Sequence, residues 1–423
     1  MSNFVVRLLR RRNVLVGLLV ALASTTHSQP VPVSLQQAID LALLRNPVVA
    51  VADLDVRQSE SRLRELESTR YPRLSLRSHY LYTPATGYNE VVTNGGEYGL
   101  QVGASVPLYD GGNRGATIHE ASNGIDHSRL GLEKSKSDLM FDVRTSYYEL
   151  ARALDEVRIR EETTQRLEDY VSFLTRMQLG GNASSSDVLK AQVELNEARS
   201  DFESARQAVR KDEMALNKVV GNPVEQEITV SRISSADTST IPLFAVEENF
   251  SLRMLQHDAI SANDELNIAR SERLPILEFA GDAGFLGVEP GEYKNNLGFS
   301  VFLALELPLF SWGGIENRIE QKEISRQQID KQIELQRRDL ETQWRTALSD
   351  IAYDRHALGS YAANIDNAEK NYLLAKSRFA GGSGSNLDVL DAERLLVQAK
   401  LKYNDTFFAL NTSLATALKL CGR

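Results

Sequence analysis

From Ser34 onward the chain alternates between two periods, one helical and one of two residues, and it runs through the pair twice. Leu35, Ala38, Ala42, Val49, Ala52, Val56, Leu63 and Leu66 follow a 3-4 spacing with only Arg45 and Ser59 as polar interruptions, which predicts an amphipathic helix opened by Ser34 as N-cap. Pro47 lies inside that run and predicts a break near Asn46. At Tyr71-Pro72 the period drops to two. Leu74, Leu76, Ser78, Tyr80 and Tyr82 alternate with Ser75, Arg77, His79 and Leu81, and after a Gly/Asn/Glu-rich stretch Tyr98, Leu100, Val102, Ala104, Val106 and Leu108 alternate with Gly99, Gln101, Gly103 and Ser105. Two strands with one apolar and one polar face are expected, a hairpin over 71–109.

Pro107 to Gly112 ends the hairpin, and from about Asn113 to about Leu179 the chain is rich in Arg, Glu, Leu and Ala with no Pro. A helix of that length would be about 100 Å long, too long for a compact domain. Gly180 to Ser186 breaks it, and Val188, Ala191, Leu195, Ala198, Phe202, Ala205, Val209 and Leu216 then trace a coiled-coil seam that stops at Gly221-Asn222-Pro223.

The programme then restarts. Leu274-Pro275 answers Tyr71-Pro72, and Leu277, Phe279, Gly281, Ala283 and Phe285, then Leu297, Phe299, Val301, Leu303, Leu305 and Leu307, predict a second hairpin over 274–309. Pro308 to Gly314 repeats the proline-aromatic-glycine exit, a second long helix is expected from Ile315 to Arg378, and Phe379 to Asp391 forms a second tip. Val389, Ala392, Leu396, Ala399, Tyr403, Leu410 and Ala417 repeat the seam. The expected organisation is a first repeat over 34–223, a linker over 224–242 and a second repeat over 243–420.

The first 28 residues stand apart. Arg7, Arg10, Arg11 and Arg12 precede the apolar run from Val14 to Ala23, the layout of a secretory signal peptide with exits after Ala23 or Ser28. No cysteine stands near either exit to take a lipid, and a single cysteine, Cys421, allows no intramolecular disulfide. Loss of those four arginines takes the formal charge from −9 to −13, a poor balance for nucleic-acid binding. No later apolar run approaches the roughly twenty residues of a membrane helix, so any crossing must be by β-strands. The two hairpins suit that purpose, because one face of each strand can meet lipid and the other water. Four strands cannot close a barrel, since the smallest membrane barrels have about eight. Three copies would supply twelve strands and would set their long helices side by side as a hollow tube.

The doubled layout, Ser34 to Pro47 (Ser-Leu-Gln-Gln-Ala-Ile-Asp-Leu-Ala-Leu-Leu-Arg-Asn-Pro), Pro107 to Gly112 (Pro-Leu-Tyr-Asp-Gly-Gly) and Leu387 to Ala392 (Leu-Asp-Val-Leu-Asp-Ala) resemble TolC-type outer membrane efflux proteins over about 34–420. The resemblance implies a mainly α protein with a membrane β part: a homotrimer with a twelve-stranded outer membrane barrel and a long periplasmic α-barrel. It also implies a passive duct serving a periplasmic adaptor and an inner membrane pump, which dock at tips marked here by Gly180, Gly181, Gly381 and Gly382. Asp388 and Asp391 match an aspartate ring at the closed entrance, and Asp187 matches a position that helps hold it shut. Six such carboxylates near one axis would favour cations and raise some of their pKa values. All three could instead serve as helix N-caps. Phe379 and Gly384 stand where members carry a Tyr and an Arg that link neighbouring coils, so the means of closure is open.

No catalytic, cofactor or metal motif accompanies this pattern, and no enzyme activity or cofactor is expected. Gly381 to Ser385 lacks the lysine and preceding strand of a phosphate loop, the six histidines show no ligand spacing, and Asn182-Ala183-Ser184 reads as turn chemistry. A soluble periplasmic coiled-coil adaptor or scaffold is the rival reading, one that would not need strands with an apolar face. Neither the exported substrate nor the pump and adaptor can be read from the residues.

Overall fold

The computed structural model describes residues 32–81, 97–233, 244–287 and 296–422. The signal-peptide expectation, both hairpin connections, residues 234–242 of the expected linker and residue 243 lie outside the described residues. Seven α-helices are described: α1 (Leu35–Arg45), α2 (Pro47–Ser68), α3 (Asn113–Leu179), α4 (Ser185–Val220), α5 (Phe250–Ser271), α6 (Gly314–Ala380) and α7 (Asn386–Leu420). Four strands accompany them: β1 (Arg73–Leu81), β2 (Glu97–Tyr109), β3 (Ile276–Gly287) and β4 (Leu297–Glu306).

α3 and α6, each 67 residues and so about 100 Å long, run without interruption from the sheet to the tips. Beside them lie two broken columns. α2 packs on the part of α3 near the sheet and α4 on the part near the tip, while α5 and α7 divide the next column in the same way. The described helices thus form a wall four columns wide.

The breaks are built by asparagine. Asn46 leaves α1 in an extended conformation (φ −70°, ψ 125°), accepts the Val48 N–H on its side-chain oxygen and donates from its amide to the Val219 carbonyl at 2.7 Å. Pro47 at the first helical position fits, because its missing N–H would have no helical partner there. Asn249 repeats the device at φ −64°, ψ 130°, capping α5 through Ser251 and donating to the Leu420 carbonyl at 3.1 Å. One amide thus starts one helix and ends another. Just before Asn249, where α1 stands before Asn46, the described residues include a 3-10 turn, Val246–Glu248.

Around the first joint lies the principal core, with Ala38, Ala42, Val143, Tyr147, Leu150, Leu216 and Val220 buried together. Ile228 and Val230 join it, Val230 bridges Val33 in parallel, and the Tyr147 hydroxyl donates to the Val33 and Ser231 carbonyls. The beginning of the expected linker is therefore clamped against α3.

The sheet is antiparallel in the order β1-β2-β3-β4. Its register aligns Leu76 with Val102, Val102 with Ala283 and Ala283 with Phe299. One face is apolar apart from Ser78 and is exposed: Leu100, Val102, Phe279, Phe299 and Leu303 are 44–84% exposed. The opposite face carries Ser75, Gly103, Asp282 and Ser300 in one row. At the helical end, Gly111 and Gly112 before α3 and Trp312 and Gly313 before α6 have left-handed φ values of 67°, 89°, 54° and 81°. For Trp312, the one described non-glycine there, this conformation costs about 1–2 kcal/mol.

Candidate functional site at the helical tips

Each tip is made by the same sequence of local devices. At the end of α3, Gly181 turns left-handed (φ 76°), the Asn182 N–H donates to the Met177 carbonyl at 2.8 Å and the Gly181 N–H to Gln178 at 3.0 Å. At the end of α6, Gly382 (φ 75°) does likewise, with Ser383 N–H to Arg378 at 2.9 Å and Gly382 N–H to Phe379 at 3.0 Å. Both are Schellman stops, which explains Gly181 and Gly382 by backbone geometry. Gly180 and Gly381 are the capping residues before them.

The next helices open with capping boxes. Ser184 accepts the Asp187 N–H at 3.1 Å, and Asp187 returns a carboxylate oxygen to the Ser184 N–H at 3.1 Å. Ser385 and Asp388 are paired identically, at 3.1 and 3.0 Å. Hydrogen bonds from Ser184 hold the Asp187 carboxyl below the ordinary carboxylate range, and those from Ser385 do the same for Asp388. Within one chain the shift at both residues is therefore downward. The N-caps are Ser184 and Ser385, not the aspartates expected in that role; Asp187 and Asp388 stand three residues on and close the boxes from the third helical position. Asp391, one turn further along the exposed side of α7, pairs instead with Arg394 at 3.0 Å.

The structure also brings together residues that no local pattern singles out. The buried Tyr170 of α3 donates its hydroxyl to Asn386 Oδ1 at 2.8 Å, and Asn386 Nδ2 donates to the Asp187 carbonyl at 3.1 Å. One turn of helix from Tyr170, Arg166 grips Glu393, itself only 4% exposed, through Nε at 3.0 Å and Nη2 at 2.9 Å. Arg394 reaches Glu194 at 2.6 Å, and Lys400 reaches Glu162 at 3.0 Å. These groups tie the α3–α4 hairpin to α7. Burial, then the nearby Glu393 carboxylate, pushes the Tyr372 hydroxyl up to about 12. Burial also raises Tyr170, so both phenols remain protonated donors.

Phe379 and Gly384 find a physical account here. The Phe379 ring is buried among Leu167, Leu174 and Leu390, edge-on to Tyr170 with centroids 6.3 Å apart. A Cβ on Gly384 would stand 3.1 Å from both Arg378 Cβ and the Phe379 nitrogen, so a side chain is crowded there. Histidines are found at the other end of the wall, where His119 meets Asp264 at 2.6 Å and His127 meets Asp258 at 3.2 Å across α3 and α5. They are contacts between helices.

A chain with this wall, this sheet and these tips matches known proteins along nearly its whole length. The sequence profile of the family described as "Outer membrane efflux protein" matches residues 38–222 and 244–423. The outer membrane protein TolC of Escherichia coli is 21% identical over 388 residues, covering 87% of this chain and 78% of TolC. The toluene efflux pump outer membrane protein TtgC of Pseudomonas putida is 22% identical over 384 residues, with the same two coverages of 87% and 78%. Among solved structures, CusC superposes with a TM-score of 0.84 at 18% identity, covering 92% of each chain. VceC of Vibrio cholerae superposes with a TM-score of 0.81 at 17% identity, covering 91% of this chain and 95% of VceC. This protein belongs to the outer membrane efflux protein family and is an outer membrane channel for efflux.

Proposed function

We propose that the channel is a homotrimer whose three four-stranded sheets close into a twelve-stranded barrel in outer membrane lipid, continued by an α-helical tube in the periplasm. One observation carries this reading: the sheet leaves β1 and β4 as free edges while exposing one apolar face and one polar face. In lipid an unpaired edge strands backbone donors and acceptors, so the edges must pair with other copies. A soluble coiled-coil scaffold would have no use for the apolar face.

The test uses the edges themselves. Within one sheet β1 and β4 are three strand spacings apart, about 14 Å, beyond the roughly 7 Å limit for a disulfide. In a Cys421→Ser background, single cysteines scanned along β1 and along β4 should therefore cross-link only between copies, giving a trimer on a non-reducing gel. Monomers at every register would reject the barrel.

The duct is passive: an inner membrane pump supplies the energy, and a periplasmic adaptor joins the pump to the duct. TolC and TtgC carry names that place them in the outer membrane, and TtgC is named for an efflux pump. The adaptor docks on the tips around Gly180, Gly181, Gly381 and Gly382. Asp388 and Asp391 form the entrance ring, with Asp187 supporting it: Asp388 and Asp391 lie exposed one turn apart on α7, so three chains would line up six carboxylates. The ties from Arg166 and Tyr170 to α7 hold each chain's two hairpins together while the ring is narrow.

A further inference from the structure

The polar face of the sheet carries its charges on separate strands. β1 has Arg73 and Arg77, with His79 beyond them, β2 has none from Gly99 to Tyr109, β3 has Glu278 and Asp282, and β4 has Glu306. The two edges of the sheet are therefore of opposite sign. Arg73, Arg77 and Glu306 are exposed, and none of the three has a hydrogen-bond or ion-pair partner among the described residues. Nor can they reach one another within a chain. Arg73 aligns through Ser105 and Ala280 with Phe302, so Glu306 lies about 14 Å across the sheet from it and about 13 Å further along.

The register shows which groups of two copies would meet. From β1 to β4 the alignment shifts by four residues in three steps: the partner of Arg73 is Phe302, whereas Glu306 marks the same, helical end of β4. One further step of that size, onto β1 of a second copy, sets Glu306 one or two residues inside Arg73. Side chains on one face are two residues apart, so its partner there is Ser75, with Arg73 and Arg77 on the two diagonals. Diagonal neighbours, about 7–8 Å apart, are within reach of long side chains. Charge on an edge strand ordinarily keeps other copies away. Here β1 against β1 brings arginines together, whereas β4 against β1 joins acid to base.

We infer that Arg73 and Arg77 of one copy and Glu306 of the next form an ion-pair seam on the lumen side of the barrel, which makes the sheets join head to tail and so close as a ring. The seam rests on the reading that three sheets form one barrel, and it goes further by naming what selects the β4-to-β1 joint. The partner is a second copy of this chain, and the opposite charges of its two free edges argue for it. Backbone pairing alone would accept either edge. One exposed ion pair is worth little, so the selection comes from its repetition at three seams and from the repulsion between like edges.

Charge exchange tests the seam. Glu306→Arg alone, or Arg73→Glu with Arg77→Glu, sets like charges along every seam. Trimer yield in detergent should fall several-fold for each, with helix content by circular dichroism unchanged. The three substitutions together restore opposite signs and should bring the trimer back. A full exchange no better than either half, or halves as trimeric as the unmodified chain, overturns the seam. Differently tagged unmodified and fully exchanged chains, refolded as a mixture, give a second readout that a loss of folding would not imitate. In any mixed trimer acid would meet acid at one seam and arginine would meet arginine at another, so mixed trimers should be several-fold rarer than random assembly gives. Free mixing overturns the seam and leaves the barrel standing. If the unmodified chain itself stays monomeric, the barrel reading fails and the seam with it.

Discussion

At the residue scale the tips join strong local rules to contacts between distant parts of the chain. Glu393 is nearly inaccessible and receives two hydrogen bonds from Arg166. Arg166→Ala would strand that carboxylate, and we expect a loss of about 3–5 kcal/mol in denaturant unfolding. Arg166→Met combined with Glu393→Leu should recover most of it, because an apolar pair needs no counter-charge. The capping carboxylates give a pH prediction with a definite sign. Asp187 and Asp388 have lowered values in the folded chain, so their contribution is fully present above the unfolded value and is lost as pH falls through the folded one. Amide protection in the first turns of α4 and α7 should be constant from pH 8 to about 5 and decline only below about 4. Weakening between pH 8 and 6 would contradict this assignment. The stops at Gly181 and Gly382 were legible in the sequence because a helix end is written within a few residues; the caps were placed on the aspartates, whereas Ser184 and Ser385 three residues earlier hold that position. Tyr170, Asn386, Arg166 and Glu393 were not legible, since their partners are over two hundred residues apart and a charge beside a seam gives no sign of burial.

Among elements, the joints between stacked helices are the informative feature. Asn46 and Asn249 each cap one helix and bond the last turn of another. Alanine at either should cost about 1–2 kcal/mol, and exchange should rise locally in α2 and α4 for Asn46→Ala and in α5 and α7 for Asn249→Ala. Pro47→Ala should leave the break intact, because the cap and not the ring makes it. Helix and strand limits were readable to within a few residues, since Pro, Gly and Ser punctuate changes of period. The 3-10 turn at Val246–Glu248 departs from its counterpart α1. α1 buries Ala38, Ile39 and Ala42 in the principal core, whereas this turn has the adjacent acids Glu247 and Glu248 and no buried residue.

For the whole molecule, the entrance prediction is electrical. Asp388→Asn with Asp391→Asn should reduce block of single-channel current by multivalent cations by at least tenfold in the blocking concentration, and unchanged block would reject the ring. Asp187→Asn should change block far less, because in this proposal Asp187 supports the ring and does not form it. The strands, the two long helices and their doubling within one chain were legible because the dyad of the strands and the lengths of α3 and α6 are global patterns. How one chain's hairpins are fastened was not, because it depends on side chains that meet only after the wall has assembled.

The unequal continuity of the columns has a mechanical consequence. The joint at Asn46 lies one α4 length from the tip, 36 residues or about 54 Å, and one α2 length from the sheet, 22 residues or about 33 Å. A tilt of about 5° around it would carry the tip by about 5 Å, with the ends at the sheet held by strand pairing. α4 and α7 can swing at their asparagines, whereas α3 and α6, having no joint, must bend along their length as springs do. Force applied at the periplasmic end would be stored in those two unbroken helices, and its release would tend to return the entrance to its resting width.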